Sequence, residues 1–326
     1  MAAPAVPLPG RYRFRAGHGA LAIVNASCIK QNGAWVAEPG HVASLTLLRE
    51  QLIACGFAPI GELGLGAPAG PTADEVRSFI DNLSQRSFEE YDAFLLVIAA
   101  HGREGSIVAW PNPGETVKSG PPIQLQEEVF RSFQLAAAVP GSSGMADSTA
   151  AARTLVGKPK LFLVDACRSP DPTDPTASQV GPLSNPLSAA QAQPPQSRVF
   201  DLLRKKDWYE AVTGPDGGLA TRHSDFCVCY STVSLNQAGV LDSGSCFLTP
   251  VAEQLRDFPE LSYTEQLHAA NFEMARRHSH SGRVAQTTYP QTAQVVETLT
   301  RVLHFYLPPN DTPEASLRAM TDIILA

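Results

Sequence analysis

A cysteine and a histidine, each at the end of an apolar run, are the residues best placed to do chemistry. Cys167 closes the segment PKLFLVDACR at 159–168. In it four apolar residues, 161–164, follow Gly157-Lys158-Pro159 and read as a fully buried strand. A second run, AFLLVIAA at 93–100, has the same character and ends in His101-Gly102. Open α/β sheets bind ligands beyond the carboxyl ends of their strands. Two such strands would deliver a thiol and an imidazole to one sheet edge, as a nucleophile and its base. Gly102 permits the close backbone approach that an oxyanion donor needs.

The elements that must hold these groups alternate. GALAIVN at 19–25 reads as a strand. SLTLLREQLI at 44–53 reads as a helix capped by Ser44. In 72–83 Thr72 caps, Glu75 stands three on as in a capping box, and Val76, Phe79, Ile80 and Leu83 form a stripe. Strand, helix and strand in alternation predict a parallel sheet covered on both faces. Helices are expected at 124–135, at 199–212 with its Arg204-Lys205-Lys206 cluster, at 262–277 with Ser262 as cap, and at 312–325. Residues 169–196 hold seven prolines and only two charges, Asp171 and Asp174, and read as a mobile linker.

The chain is similar to the caspases, in the clan of cysteine peptidases that also holds metacaspases and paracaspases. HG after an apolar strand, then a strand ending in ACR, carries the resemblance. So do GALAIVN as a first strand, FCVCYST at 226–232 followed by Gly244-Ser245-Cys246-Phe247 as the start of a small subunit, and QVVETLTRVLHFYL, from Gln294 to Leu307, as its final strand. These segments fall in the family's order over residues 19–307. The resemblance implies an α/β fold of the caspase-like three-layer sandwich type: a mostly parallel central sheet with an antiparallel edge strand and helices on both faces. It divides the chain into a short extension at 1–18, a large-subunit region at 19–168, a linker at 169–225, a small-subunit region at 226–307 and a C-terminal extension at 308–326.

The same resemblance implies a Cys167–His101 dyad, an oxyanion held by the N–H groups of Gly102 and Cys167, and substrate contacts from Asp165, Glu38 and Ser231. Caspases clamp an aspartate with arginines from two loops and a glutamine two residues before the cysteine. Here that glutamine position is Asp165. Alignment on Leu48-Arg49-Glu50 puts Glu38 or a neighbour where the first arginine belongs, and VSLNQAGVL at 233–241 has no arginine. An acidic pocket suits an arginine or lysine side chain, as in metacaspases and paracaspases. An aspartate-specific enzyme using Arg103 or Arg168, and a catalytically silent scaffold, are the alternatives. Basic sites at Arg198, Arg204, Lys205, Lys206 and Arg222 predict self-cleavage, with Arg198 and Arg222 first.

Composition limits the partners. The 326 residues are 44% hydrophobic and carry a formal net charge of −7, with no basic stripe, which argues against nucleic acid. Protein or peptide substrates are expected, with a homodimer through 294–307. No run is long enough to span a bilayer and MAAPAVPLPG is not a secretory signal, so no membrane partner and a cytoplasmic site are expected. Six cysteines in a chain of this length form no disulfide framework. Cys227 and Cys229 read as same-face strand packing, and His278-Ser279-His280 as a solvated loop. No metal site and no cofactor are expected; calcium activation is not legible.

Overall fold

The computed structural model describes residues 10–31, 34–67, 70–103, 105–109, 122–135, 148–168, 211–213, 219–221, 225–232, 238–241, 243–280 and 291–305. The expected linker at 169–196, most of the expected helix at 199–212 and the expected terminal helix at 312–325 lie outside them. The last two residues of that middle helix, Ala211 and Val212, belong to a strand instead.

In chain order the first elements are β1 (Gly19–Ala26), a hairpin of β2 (Cys28–Gln31) and β3 (Ala34–Ala37), α1 (Pro39–Ala54), β4 (Phe57–Leu63) and α2 (Ala73–Ser84). Then come β5 (Ala93–Arg103), β6 (Ser106–Val108), β7 (Ile123–Gln124), α3 (Ala150–Thr154) and β8 (Lys160–Asp165). An antiparallel ribbon of β9 (Ala211–Thr213) and β10 (Leu219–Thr221) precedes β11 (Phe226–Tyr230). The chain continues through β12 (Val240–Leu241), β13 (Gly244–Ser245), α4 (Leu248–Asp257), α5 (Tyr263–His280) and β14 (Gln294–Glu297).

The central sheet runs β14-β11-β8-β5-β1-β4. Every pairing along it is parallel except β11 with β14 at one edge. Successive side chains on a strand point to opposite faces, so one run of apolar residues serves two cores. Leu95, Val97, Leu161, Leu163, Cys227 and Cys229 pack with α1, α4 and α5. Phe94, Leu96, Ile98, Phe162 and Val164 pack against α2, α3 and the segment 125–133. The two cysteines therefore share one core face, as their spacing suggests. This is the expected three-layer arrangement.

Several elements depart from the sequence reading. Ser44 lies inside α1 rather than at its start, where its hydroxyl donates to the Gly40 carbonyl. Pro39 at the first helical position begins the helix earlier, because its ring presets φ and its missing N–H is not needed there. The expected helix at 124–135 is a strand end followed by a π turn (Leu125–Val129) and a 3-10 turn (Phe130–Phe133). That mixture buries Leu125, Val129, Phe130 and Phe133 together. Helix α5 carries on through residues 278–280, where a loop was expected. Its start agrees with the sequence, since Ser262 and Glu265 form reciprocal hydrogen bonds. Thr72 and Glu75 likewise form the capping box of α2.

The expected long strand at 294–307 is the largest correction. β14 has four residues. Its partner β11 has only five and begins just after Asp225, which sits at φ 63. Beyond Thr298 the backbone has no further partner on β11. Instead Val302 N–H donates to the Gly10 carbonyl and Tyr12 N–H to the Val302 carbonyl. The N-terminal segment thus takes up the bonds that a longer edge strand would have offered.

Candidate functional site

The last in-register pair of β5 and β8 is Ala99 with Asp165. His101 and Cys167 each lie two residues further on, at matching positions beyond the sheet's end. β5 outlasts the sheet: His101, Gly102 and Arg103 pair antiparallel with Val108, Ile107 and Ser106 of β6. That ribbon fixes the histidine backbone where an isolated loop would not.

The Cys28 carbonyl, just past β1, accepts a hydrogen bond from His101 Nε2. A carbonyl can only accept, so the ring carries its proton on Nε2 and Nδ1 is the basic nitrogen of the neutral form. Gly102 passes so close to the nucleophile turn that a Cβ there would lie 2.5 Å from the Cys167 carbonyl oxygen and 2.7 Å from Ala166 Cβ. Cys167 is half-buried, and its Sγ accepts from Ala238 N–H at 3.4 Å.

The turn after β8 is held from below. Ser231 is fully buried. Its Oγ accepts from Ala166 N–H at 3.2 Å, its N–H donates to the Val164 carbonyl, and its own carbonyl accepts from Gln291 Nε2 at 2.8 Å. Gln291 Oε1 accepts from Gly239 N–H at 2.7 Å, tying the segment beside the thiol to the same side chain. The structure thus places Ser231 beneath the nucleophile turn. Arg168 is buried, donates to the Thr232 carbonyl and Gln294 Oε1, and lies with its guanidinium 4.4 Å from the Tyr230 ring centroid. Those contacts hold β14 to the turn.

Asp165 is fully buried at the end of β8. Its Oδ2 accepts from Ser245 Oγ and from His41 Nε2, the latter at 3.1 Å. Its Oδ1 has no hydrogen-bond partner among the described residues. His41, 4% exposed, uses its other nitrogen, Nδ1, on Glu38 Oε2 at 2.8 Å. Burial disfavours the imidazolium, but hydrogen bonds and charge from Asp165 and Glu38 outweigh it and push the His41 pKa up to about 9. The two acids identified from the sequence are therefore brought together, with a cation between them. Glu38 occupies the N-cap position of α1, which puts His41 in the first turn, three residues on and on the same face. That spacing was readable in E-P-G-H.

Ser245 joins the pocket to the next helix. Its Oγ also accepts from the N–H groups of Phe247 and Leu248 at 3.0 Å each, at the start of α4, and its N–H donates to Ser44 Oγ at 2.7 Å. Gly40 lets β12 approach α1, since a Cβ there would collide with the Leu241 carbonyl oxygen. Sequence reasoning missed His41, Ser245, Cys28 and Gln291. Of the 233–241 loop, residues 233–237 lie outside the described residues. No helix of the described residues is long and apolar enough to cross a membrane.

With this geometry in place, comparison with known proteins gives a consistent result. A family model for the caspase domain matches residues 46–304. The chain is also similar to caspase-6 of Rattus norvegicus, at 25% identity over 244 residues, covering 73% of each chain.

Proposed function

Because the chain belongs to the caspase-domain family of cysteine peptidases, we propose that it is an endopeptidase using Cys167 and His101 and cutting after arginine or lysine. The observation that carries the catalytic part is the register of β5 and β8, which puts the two side chains at matching positions past one sheet edge. Cys167 Sγ attacks the peptide carbonyl. The thiol proton passes by way of His101 Nδ1 to the leaving amine, and water then hydrolyses the acyl-enzyme, restoring the thiol. The Cys28 carbonyl orients the ring as a third member. The bare Gly102 lets the nucleophile turn pack against it, and the N–H groups of Gly102 and Cys167 would hold the tetrahedral oxyanion.

The preference for a basic residue is supported by Asp165. A fully buried carboxylate with one unpartnered oxygen accepts only, and so calls for a donor or cation. An aspartate side chain would need N–H donors instead. Both His41 nitrogens are already engaged, and Arg168 spends its Nη1 on Thr232 and Gln294. Fluorogenic peptides ending in Arg, Lys or Asp test the reading. Hydrolysis of the Asp peptide with none of the Arg peptide would overturn it.

Self-processing in 169–225 belongs to the same proposal, with Arg198 and Arg222 as the first sites. The expected result is conversion of wild-type protein to two fragments while Cys167→Ala stays whole, with N-terminal sequencing to locate the cut. Association of two copies through β14, the sheet's antiparallel edge, completes the reading, and sedimentation checks it. All six cysteines are free thiols, in keeping with a reducing, cytoplasmic setting.

A further inference from the structure

The acidic pocket already contains a cation. Glu38 and Asp165 are each bound to one nitrogen of a single buried imidazole, at 2.8 and 3.1 Å. We propose that His41 is the specificity-setting residue of this pocket, holding the place of the substrate's cation until a basic side chain enters in exchange for the histidine's proton. The inference rests on the pocket's reading as one for arginine or lysine.

Two buried carboxylates with no cation between them would repel each other and lose their hydration. The imidazolium prevents this, leaving a formal charge of −1 on the trio. A guanidinium brings a second positive charge and five N–H donors. One acceptor stands ready, because Asp165 Oδ1 is buried and has no partner among the described residues. A second becomes available when His41 loses a proton, because a neutral imidazole donates through only one nitrogen.

The two acids differ in which can be released. Asp165 is fully buried and cannot turn to water, whereas the Glu38 side chain is 19% exposed. The remaining proton therefore stays on Nε2 facing Asp165. Nδ1 loses its proton to solvent and Glu38 is freed to meet the guanidinium. With arginine bound and His41 neutral, the formal charge is again −1. A neutral side chain cannot drive the exchange, since it would leave two carboxylates without a cation.

The groups that face His41 permit this. Glu38 approaches from the start of α1 and Asp165 from the end of β8. From the β13 side come the Ser245 hydroxyl on Asp165 and the Cys246 thiol, which burial and then the Asp165 charge push up to about 11. Cys167 lies two residues beyond Asp165. α4 contributes the neutral Thr249 hydroxyl through Ser44. His41 itself, pushed up to about 9, holds a proton to release near neutrality.

The test uses the full-length Cys167→Ala protein, so that binding is read without turnover. An Arg-ending peptide is titrated calorimetrically between about pH 7 and 8 in two buffers of different ionisation heat, which counts protons. The expected result is release of about one proton per peptide bound, and none when His41→Gln is added. Binding of the Arg peptide without proton release would overturn the role of His41 and leave the basic pocket standing. Binding of an Asp-ending peptide but no Arg-ending one would overturn the pocket and this inference with it. The Cys167→Ala measurement decides by itself if the double variant does not fold.

Discussion

His101 and Cys167 reach their places along two adjacent strands, whereas Asp165, two residues before Cys167, takes its setting from separate segments. Those segments are the start of α1 with Glu38 and His41, the strand end itself, and β13 with Ser245. The catalytic edge inherits its precision from sheet register, which many backbone hydrogen bonds enforce together. The pocket depends on a few side-chain bonds among buried charged groups, each of which matters alone. The first arrangement tolerates local change in the scaffold but not at the two side chains proposed to react. The second ties specificity to stability.

The largest expected effect separates the two. Cys167→Ala should lower kcat on an Arg-ending peptide by about 10⁴-fold or more. The midpoint of denaturant unfolding should barely move, because the thiol is half-buried beyond the end of β8. A large loss of stability would break the contrast. Next, Asp165→Asn should lower kcat/KM for Arg peptides by about 10²-fold and also cost about 3 kcal/mol of stability, since it leaves a buried imidazolium short of a partner. Both readouts move together here, unlike at Cys167. Glu38→Gln should be milder, because Glu38 is partly solvated.

Gly102→Ala sharpens the catalytic side. Its Cβ would lie 2.5 Å from the Cys167 carbonyl oxygen, so the nucleophile turn must shift. A fall in kcat of about 10²-fold with little change in KM is expected, and steady-state kinetics on one Arg substrate will read it.

Stability against pH probes the pocket. The folded His41 pKa is raised from 6.5 to about 9, so its contribution is fully present below about pH 6.5 and is lost as pH rises towards 9. Lys160 works the other way. Burial lowers its pKa to about 8, so above that pH its unfolded form binds more protons and stability rises. Between pH 6.5 and 8, wild-type stability should therefore decline, by a few kcal/mol at most, and His41→Gln should flatten the decline. Urea midpoints measured across that window are the check. The smallest effect is a control on both regions: Thr72→Ala, which breaks the α2 capping box, should cost about 1 kcal/mol and leave kcat and KM unchanged.

The strand ends that carry His101 and Cys167 were legible because strands buried on both faces read as unbroken apolar runs, and residues at their ends are easy to place. Capping boxes were legible for a similar reason, since Thr72 with Glu75 and Ser262 with Glu265 act over three residues. β4 was hidden by Pro59 and Gly61, which an edge strand accommodates with a register shift opposite Leu21 and Ala22. The end of β14 was hidden because it depends on where β11 runs out and on bonds to Gly10 and Tyr12, nearly 300 positions away. Asp165 could be placed at the strand end from its position before Cys167. Its partners could not, because His41 lies 124 positions from it and Ser245 lies 80.

Ser245 gives this arrangement an evolutionary consequence. One hydroxyl donates to Asp165 and accepts from two amides at the start of α4. A lineage that replaced Asp165 with an apolar or positive residue would strip that hydroxyl of its acceptor, leave His41 charged beside Glu38 alone, and loosen the beginning of a core helix. Single substitutions that reverse the pocket's preference therefore pass through poorly folded intermediates. Descendants of this chain are expected to vary their loops and flanking segments long before they change Asp165.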